Sequence, residues 1–469
     1  MPNEFSDLLN DVDAEFAGIS VGDKRLNARV RSVAARIAIA PAESFPQLVA
    51  SEAECEALYR LLNNDSVGWN AILEPHVVAS VARGAEQGLT RVVHDTTDFA
   101  FSGDREGMGP IGMQETLGFF AHVAMAVSGG EERIPLGIVG LIPYARARGA
   151  RLPLNERKLA VRKKPRAEKE STRWETLART VGARFPTNDV IHVMDQEADD
   201  FVLVTELQRA GLRFVVRGTS DRLVRHKGES LQDVLDGQPA EVFRAVPLSA
   251  RKGGGPKQRR SHPPRHERVA HLHLRWAQLV IKRPDHAQTD VASAAVWVVQ
   301  VFEPAPPDGE APIVWTLLTS EPVDDVATAT EIVDHYRARW RIEEYFRALK
   351  QGCAVEKRQL ESYDAMLNAL AIFMPIAWRL LLLRSLARDD SPLPAAAVFD
   401  ADEIAVVRAL TEHKRCYALP AEPTIRDLML AVASIGGHIR NNGEPGWIVL
   451  GRGFDDVLKA CIGWRAARR

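Results

Sequence analysis

Val190-Ile191-His192-Val193-Met194-Asp195-Gln196-Glu197-Ala198 is the stretch on which the fold turns. A short run of buried-strand character, rich in β-branched side chains, leads without a break into a carboxylate. The following segment, Ala198 to Ala210, has helical character, Leu212 to Val216 is strand-like again, and upstream Trp174 to Phe185 reads as a helix. Arg91-Val92-Val93-His94-Asp95 repeats the pattern of a short apolar run closed by an aspartate, and Gly118 to Val127 and Ile134 to Ile142 are further strand-like runs separated by Gly129-Gly130. Strands alternating with helices predict a mixed α/β core. From Arg217 to Asp324 the alternation stops: His271, His273 and Arg275 alternate with Leu272, Leu274 and Trp276, and Val296 to Phe302 and Ile313 to Leu318 are also strand candidates. This part reads as a β-rich insertion. A long helix starts at Asp324 or Asp325, either a suitable N-cap, and runs to about Gly352. The first 65 or so residues read as short helices closing near Asn63-Asn64-Asp65, and from Tyr363 onward the chain reads as helical, with a turn at Gly436-Gly437 and breaks at Pro392, Pro420 and Pro445.

At roughly 150 residues per domain, the 469 residues predict about three domains. Cys55, Cys353, Cys416 and Cys461 lie far apart with no CxxC spacing, which excludes a disulfide framework or a zinc ribbon and predicts a reducing, cytoplasmic setting. The N-terminus Met1-Pro2-Asn3-Glu4-Phe5 has no apolar core of a secretory signal, and the most apolar stretch, Ala369 to Trp378, contains Pro375 and is too short to cross a bilayer, so a soluble protein with no membrane partner is expected. Lys+Arg (60) and Asp+Glu (62) nearly cancel, so any polyanion-binding signal must come from how charge is placed. Arg151 to Arg173 holds nine bases against three acids, and Arg251 to Arg268 holds seven against Glu267 alone. Lys24, Arg25, Arg29, Arg31 and Arg36 decorate a stretch in which Leu26, Val30, Val33 and Ile37 recur at helical spacing. Each cluster alone reads as a solvated surface; three of them point to DNA.

Asp95 and Asp195 close apolar strands, where side chains of α/β sheets line the ligand crevice. Aspartates there also cap turns and helices. On the long helix Tyr336, Arg339, Glu343 and Lys350 stand at offsets 0, 3, 7 and 14. At about 100° per residue they share one narrow stripe roughly 21 Å long, with Glu344 off it. A salt-bridged solvent face is the competing reading. Three carboxylates gathered together would ionise only around divalent cations, and hard oxygen ligands select Mg²⁺, with Mn²⁺ a substitute. Two such ions about 4 Å apart serve in-line phosphoryl transfer, while the bases of the stripe suit phosphates.

Asp95-Thr96-Thr97, Val193 to Asp199, and Tyr336-Arg337-Ala338-Arg339-Trp340-Arg341-Ile342-Glu343-Glu344 through Lys350 resemble the DDE transposases of bacterial insertion sequences, in the insertion-sequence-four type with its Tyr-x2-Arg-x3-Glu-x6-Lys signature. The resemblance covers nearly the whole chain, from Gly22-Asp23-Lys24-Arg25-Leu26 to the C-terminal helices. It implies an RNase H-like (ribonuclease H-like) mixed-sheet catalytic core over residues 66–360 with the β-rich insertion at about 218–323, a helical N-terminal DNA-binding domain over 1–65, and a helical dimerisation domain over 361–469. It implies Asp95, Asp195 and Glu343 as the metal-binding triad for two ions, and Tyr336, Arg339 and Lys350 as contacts to the DNA backbone. Trp315 matches the tryptophan on which a flipped base stacks, Arg217 falls on a basic position near the active site, and Lys24, Arg25 and Arg29 belong to the DNA-binding helix. Gln196 stands where the family commonly has a basic residue, a departure that bears on phosphate contacts around that strand.

The activity implied is cut-and-paste transposition by a homodimer on double-stranded DNA, the terminal inverted repeats and the target, with a hairpin intermediate. A glycoside hydrolase with two carboxylates leaves the basic stripe and loops unexplained. A catalytically idle DNA-binding protein or transposition inhibitor is the other alternative, and the intact triad argues against it.

Overall fold

The computed structural model describes residues 12–112, 116–148, 156, 164–187, 189–219, 224, 229–251, 263–388, 393–439 and 443–468. Much of the basic segments 151–173 and 251–268, together with Pro392 and residues 1–5, lies outside the described residues. The chain divides into two compact units: a first of Met1–Gly88, Thr96–Ala150 and Trp340–Arg469, and a second of Leu89–Asp95 and Arg151–Arg339.

In chain order the main elements are α1 (Lys24–Ile39), α2 (Glu52–Leu62), α3 (Trp69–Ala85), β1 (Thr90–Phe101), β2 (Gly109–Pro110), β3 (Leu117–Ser128) and β4 (Pro135–Tyr144). There follow α4 (Thr172–Gly182), β5 (Val190–Met194), α5 (Phe201–Arg209), β6 (Arg213–Gly218), α6 (Leu231–Asp236), β7 (Glu241–Leu248), β8 (Arg268–Lys282), β9 (Ser293–Phe302) and β10 (Val314–Thr319). The remainder is helical: α7 (Val326–Arg337), α8 (Trp340–Arg347), α9 (Tyr363–Arg388), α10 (Ala401–Lys414), α11 (Ile425–Ile435) and α12 (Trp447–Ala467). β1 passes from one unit to the other at Asp95.

In the second unit every residue of β5 is buried, as a short apolar run requires of a central strand. β5 lies parallel to β1 on one side, with Val93 level with Val193, and parallel to β6 on the other, with Met194 level with Val216. β6 then pairs antiparallel with β10, and β10, β9, β8 and β7 continue as an antiparallel set. One face carries a core of Met194, Phe214, Val216, Val298 and Leu318 packed with Trp174, Phe201, Val204, Leu207 and Leu231 from the helices. α5 is started by Asp200, whose carboxylate accepts from the amides of Val202 and Leu203. α7 is started by Asp325, which forms a capping box with Thr328, and packs against β5, β6, β8, β9 and β10. The polar side of β8 is only partly wet: Arg275 is buried and donates to Gln300 at 2.8 Å and Asp236 at 2.6 Å.

In the first unit β3 pairs antiparallel with β4 and with β2, and α3 and α9 pack on β4. Trp378 of α9 donates its indole N–H to the Pro135 carbonyl at 2.8 Å, and the Arg83 guanidinium lies 4.3 Å from the same ring. Glu15 is buried against His76 and Arg83. Burial pushes its carboxyl upward, but the charges and hydrogen bonds of His76 and Arg83 prevail and hold it below the usual carboxylate range. His76 accepts the Ile138 amide on Nε2 at 3.0 Å and turns Nδ1 toward Glu15. α10, α11 and α12 share a separate core that includes Val407, Leu428, Val432 and Val457. α9 is the one described helix long and apolar enough to cross a membrane, and 89% of its apolar window is buried in the protein. It runs well past the apolar stretch 369–378 and carries Pro375 inside it.

Three longer strands first, then two strands each preceded by a helix and parallel to β1, give the RNase H-like connectivity expected from the sequence. The long helix expected from Asp325 to Gly352 is interrupted. α7 ends at Arg337, the amides of Ala338 and Arg339 turn back to the carbonyls of His335 and Tyr336, and α8 begins at Trp340. Its continuation, Ala348–Gly352, is a π turn closed by the Cys353 amide on the Ala348 carbonyl at 2.8 Å. Neither proline nor glycine marks the break, so no local propensity announces it. Tightened i→i−3 and widened π turns in one helical run are typical of functional segments.

Candidate active site

The register of the second unit builds the site. Asp95 follows Val93 by two residues and Asp195 follows Val193 by two, so the two carboxylates stand level on neighbouring parallel strands roughly 4.8 Å apart. Asp195 stands just past the end of β5, whereas Asp95, expected to close its strand, lies within β1, which runs on to Phe101. Arg217 follows Val216 as Asp195 follows Met194, which brings it level on the third strand. Side chains alternate along a strand, so Asp95, Asp195 and Arg217 share a face opposite to the one carrying His192, Met194 and Val216. On that opposite face His94 and His192 meet through Nε2 and Nδ1 at 2.9 Å, both fully buried, and burial lowers His192 to about 4.

Asp195 keeps the capping role that sequence allows: its Oδ1 accepts the Glu197 amide at 2.8 Å. A carboxylate has a second oxygen, so capping and ligation are compatible. Asp95 Oδ2 accepts from Arg339 Nη1 at 2.9 Å, with side-chain exposures of 18% and 15%. The arginine of the helix stripe thus reaches a carboxylate of β1. Tyr336 is 5% exposed; its ring meets Trp315 edge-on at 5.4 Å between centroids, and the Arg339 guanidinium lies 6.0 Å from it. Asp95, Asp195, Arg217, Trp315, Tyr336 and Arg339 therefore belong to one unit.

Glu343 and Lys350 belong to the other unit. Glu343 is half-buried on α8. Its neighbour Glu344 is buried and paired with Arg388 at 2.6 Å and Arg341 at 3.3 Å, a structural role consistent with its place off the stripe. Lys350, within the π turn, pairs with Asp98 at 3.3 Å. Lys24, Arg25 and Arg29 are exposed on α1, whereas Arg31 and Arg36 are held by Asp13 and Glu54. Two contacts escape sequence reasoning. Arg91, buried in β1, donates to Nδ1 of the buried His335 at 2.9 Å, one residue before Tyr336. Asp98 is visible in the run Asp95-Thr96-Thr97-Asp98, but only the fold pairs it with Lys350.

Asp95 and Asp195 offer hard oxygen donors side by side, which suits Mg²⁺ or Mn²⁺. Among the described residues no group of three or more His, Cys, Asp or Glu side chains stands ready as a metal site.

Two level aspartates on an RNase H-like sheet, flanked by arginine and tyrosine, form the candidate site. Family models then match twice, as "Transposase DNA-binding" over residues 11–67 and as "Transposase DDE domain" over residues 157–374. The chain carries the DNA-binding and DDE domains of a transposase. The first match contains Lys24, Arg25 and Arg29; the second contains Asp195, Arg217, Trp315, Tyr336, Arg339, Glu343 and Lys350, and begins beyond Asp95. Among solved structures, a piggyBac transposase synaptic complex with hairpin DNA aligns with a TM-score of 0.36 and 13% identity, over 98% of this chain and 85% of that chain. Similarity that loose carries no weight for the chemistry of this chain.

Proposed function

We propose that the protein is a cut-and-paste DNA transposase of the insertion-sequence-four type, near the transposase of transposon Tn-five, acting as a homodimer on its terminal inverted repeats and on target DNA. The level placement of Asp95 and Asp195, with Arg339 on Asp95, carries this reading. Asp95, Asp195 and Glu343 would hold the divalent cations, two per site, Mg²⁺ or Mn²⁺. When bound, these supply an activated water or hydroxyl nucleophile and charge neutralisation at the leaving oxygen. Arg339, Tyr336 and Lys350 position the scissile backbone, and Arg217 adds positive charge beside Asp195. Trp315 receives a base turned out of the stack, which a tightly bent hairpin end requires. Nicking, hairpin formation, hairpin opening and joining of the 3′-hydroxyl to target are all phosphoryl transfers, so one site serves each. Residues 1–65 form the end-binding domain through Lys24, Arg25 and Arg29, residues 66–360 the catalytic domain with its insertion at about 218–323, and residues 361–469 the dimerisation domain. The setting is cytoplasmic, on the nucleoid.

Glu343→Gln tests the reading. It should abolish Mg²⁺-dependent nicking of a duplex carrying the element's end while leaving binding of that duplex intact. Loss of binding in step with nicking would make Glu343 a structural residue.

A further inference from the structure

We propose that Asp98 is a built-in competitor of DNA: its carboxylate holds Lys350 in the free protein and yields it when a backbone phosphate arrives. The proposal rests on the reading of Lys350 as a DNA-backbone contact. Asp98 stands in β1 three residues beyond Asp95, and its Oδ1 lies 3.3 Å from Lys350 Nζ, with side-chain exposures of 52% and 26%. The ammonium is also 3.9 Å from Glu356 Oε1 and 5.4 Å from the centroid of the buried Phe99 ring. Glu356 has a second task, since the same oxygen accepts the Ala100 amide at 2.9 Å and is thereby anchored to β1. Asp98 lies within β1, where it caps no helix, and among the described residues its side chain pairs with Lys350. Lys350 is thus preset, with a ring beside its head group and carboxylates on either flank.

The chemistry of the pair favours exchange. An ion pair this exposed contributes little to folding, so its loss costs the protein little. Lysine presents a compact point charge that serves a carboxylate or a phosphate equally. Duplex DNA offers a dense line of phosphates and releases counterions when lysine joins them. Asp98 therefore lowers the affinity for any phosphate backbone by the strength of one surface ion pair, and it does so only through Lys350. Removing its charge frees the lysine in advance.

The test is a double-mutant cycle of Asp98→Asn and Lys350→Gln in the full chain, read by fluorescence anisotropy with a labelled DNA duplex. Backbone contacts carry no sequence information, so the duplex sequence is immaterial. Lys350→Gln should weaken binding. Asp98→Asn should tighten it by roughly two- to five-fold, the worth of an exposed pair, and the gain should fade as ionic strength rises. In the Lys350→Gln background the Asp98→Asn change should do nothing. Melting curves matching the wild type confirm that both surface variants fold. If Lys350→Gln weakens binding but Asp98→Asn changes nothing, the proposal falls while the role of Lys350 stands. An equal gain in both backgrounds overturns it as well, because Asp98 would then repel phosphates directly. If Lys350→Gln leaves binding unchanged, the reading of Lys350 itself fails and takes the proposal with it.

Discussion

Arg339→Gln removes the guanidinium that the structure places 2.9 Å from Asp95, in a pair with only 15% and 18% side-chain exposure. Opposite charges about 4 Å apart interact by roughly 4 kcal/mol at an effective dielectric of 20. Desolvation of both groups cancels much of that gain, leaving about 1 to 2 kcal/mol of net coupling. Arg339→Gln alone takes this guanidinium from a mostly buried carboxylate, and Asp95→Asn alone takes this carboxylate from the guanidinium, so each should destabilise. The double variant loses the pair only once and should recover about 1 to 2 kcal/mol of the summed loss. A chain of two compact units need not unfold in one step, so a single melting temperature is the wrong readout. Native-state hydrogen exchange at the amides of β5 and β6, read by mass spectrometry, follows the opening of the second unit alone. Exchange there should accelerate about ten-fold in each single variant, and the double variant should be markedly slower than the product of the two. Additivity within about 0.3 kcal/mol would show that Arg339 and Asp95 do not hold each other, and with it would go the account of how the signature arginine is placed.

Trp315→Ala should slow hairpin formation more than first-strand nicking in a gel assay that separates the two products; equal slowing would remove the base-stacking role. Replacing Lys24, Arg25 and Arg29 by glutamine should reduce the slope of log affinity against log salt by about 2 to 3, and an unchanged slope would take α1 out of the DNA interface. Burial, and then the Arg91 charge, lower His335 to about 4 from 6.5. Its folded form stays neutral while the unfolded chain takes up a proton, so its contribution is complete above pH 6.5 and is lost as pH falls from there toward 4, by up to about 3 kcal/mol. His335→Gln, which retains an acceptor for Arg91, should flatten hydrogen exchange in the second unit over that window; an undiminished acid dependence would place its source elsewhere, His192 first.

Much of the site was legible in the residues themselves. Val190 to Met194 had the form of a buried strand and Arg91 to Asp95 the same form, because apolar runs of that length satisfy their backbone groups in a sheet interior. That the second strand runs on past Asp95 to Phe101 was not visible in the run itself. Asp325 had the chemistry of an N-cap and became one. Local sequence could not say that Asp95 and Asp195 would stand level. That depends on strand register, fixed by the side chains that both strands bury where they pair, Thr90–Val93 against Val190–Val193. Nor could it show the break at Ala338-Arg339. Helical propensity favours continuation there, and the interruption coincides with contacts made far along the chain: Arg339 on Asp95, Tyr336 on Trp315 and His335 on Arg91. The sequence by itself determined which side chains could do phosphoryl chemistry and on what kind of element each would ride. Tertiary structure alone decided their partners, because pairing of charges and rings depends on distances between strands and helices that no spacing along the chain encodes.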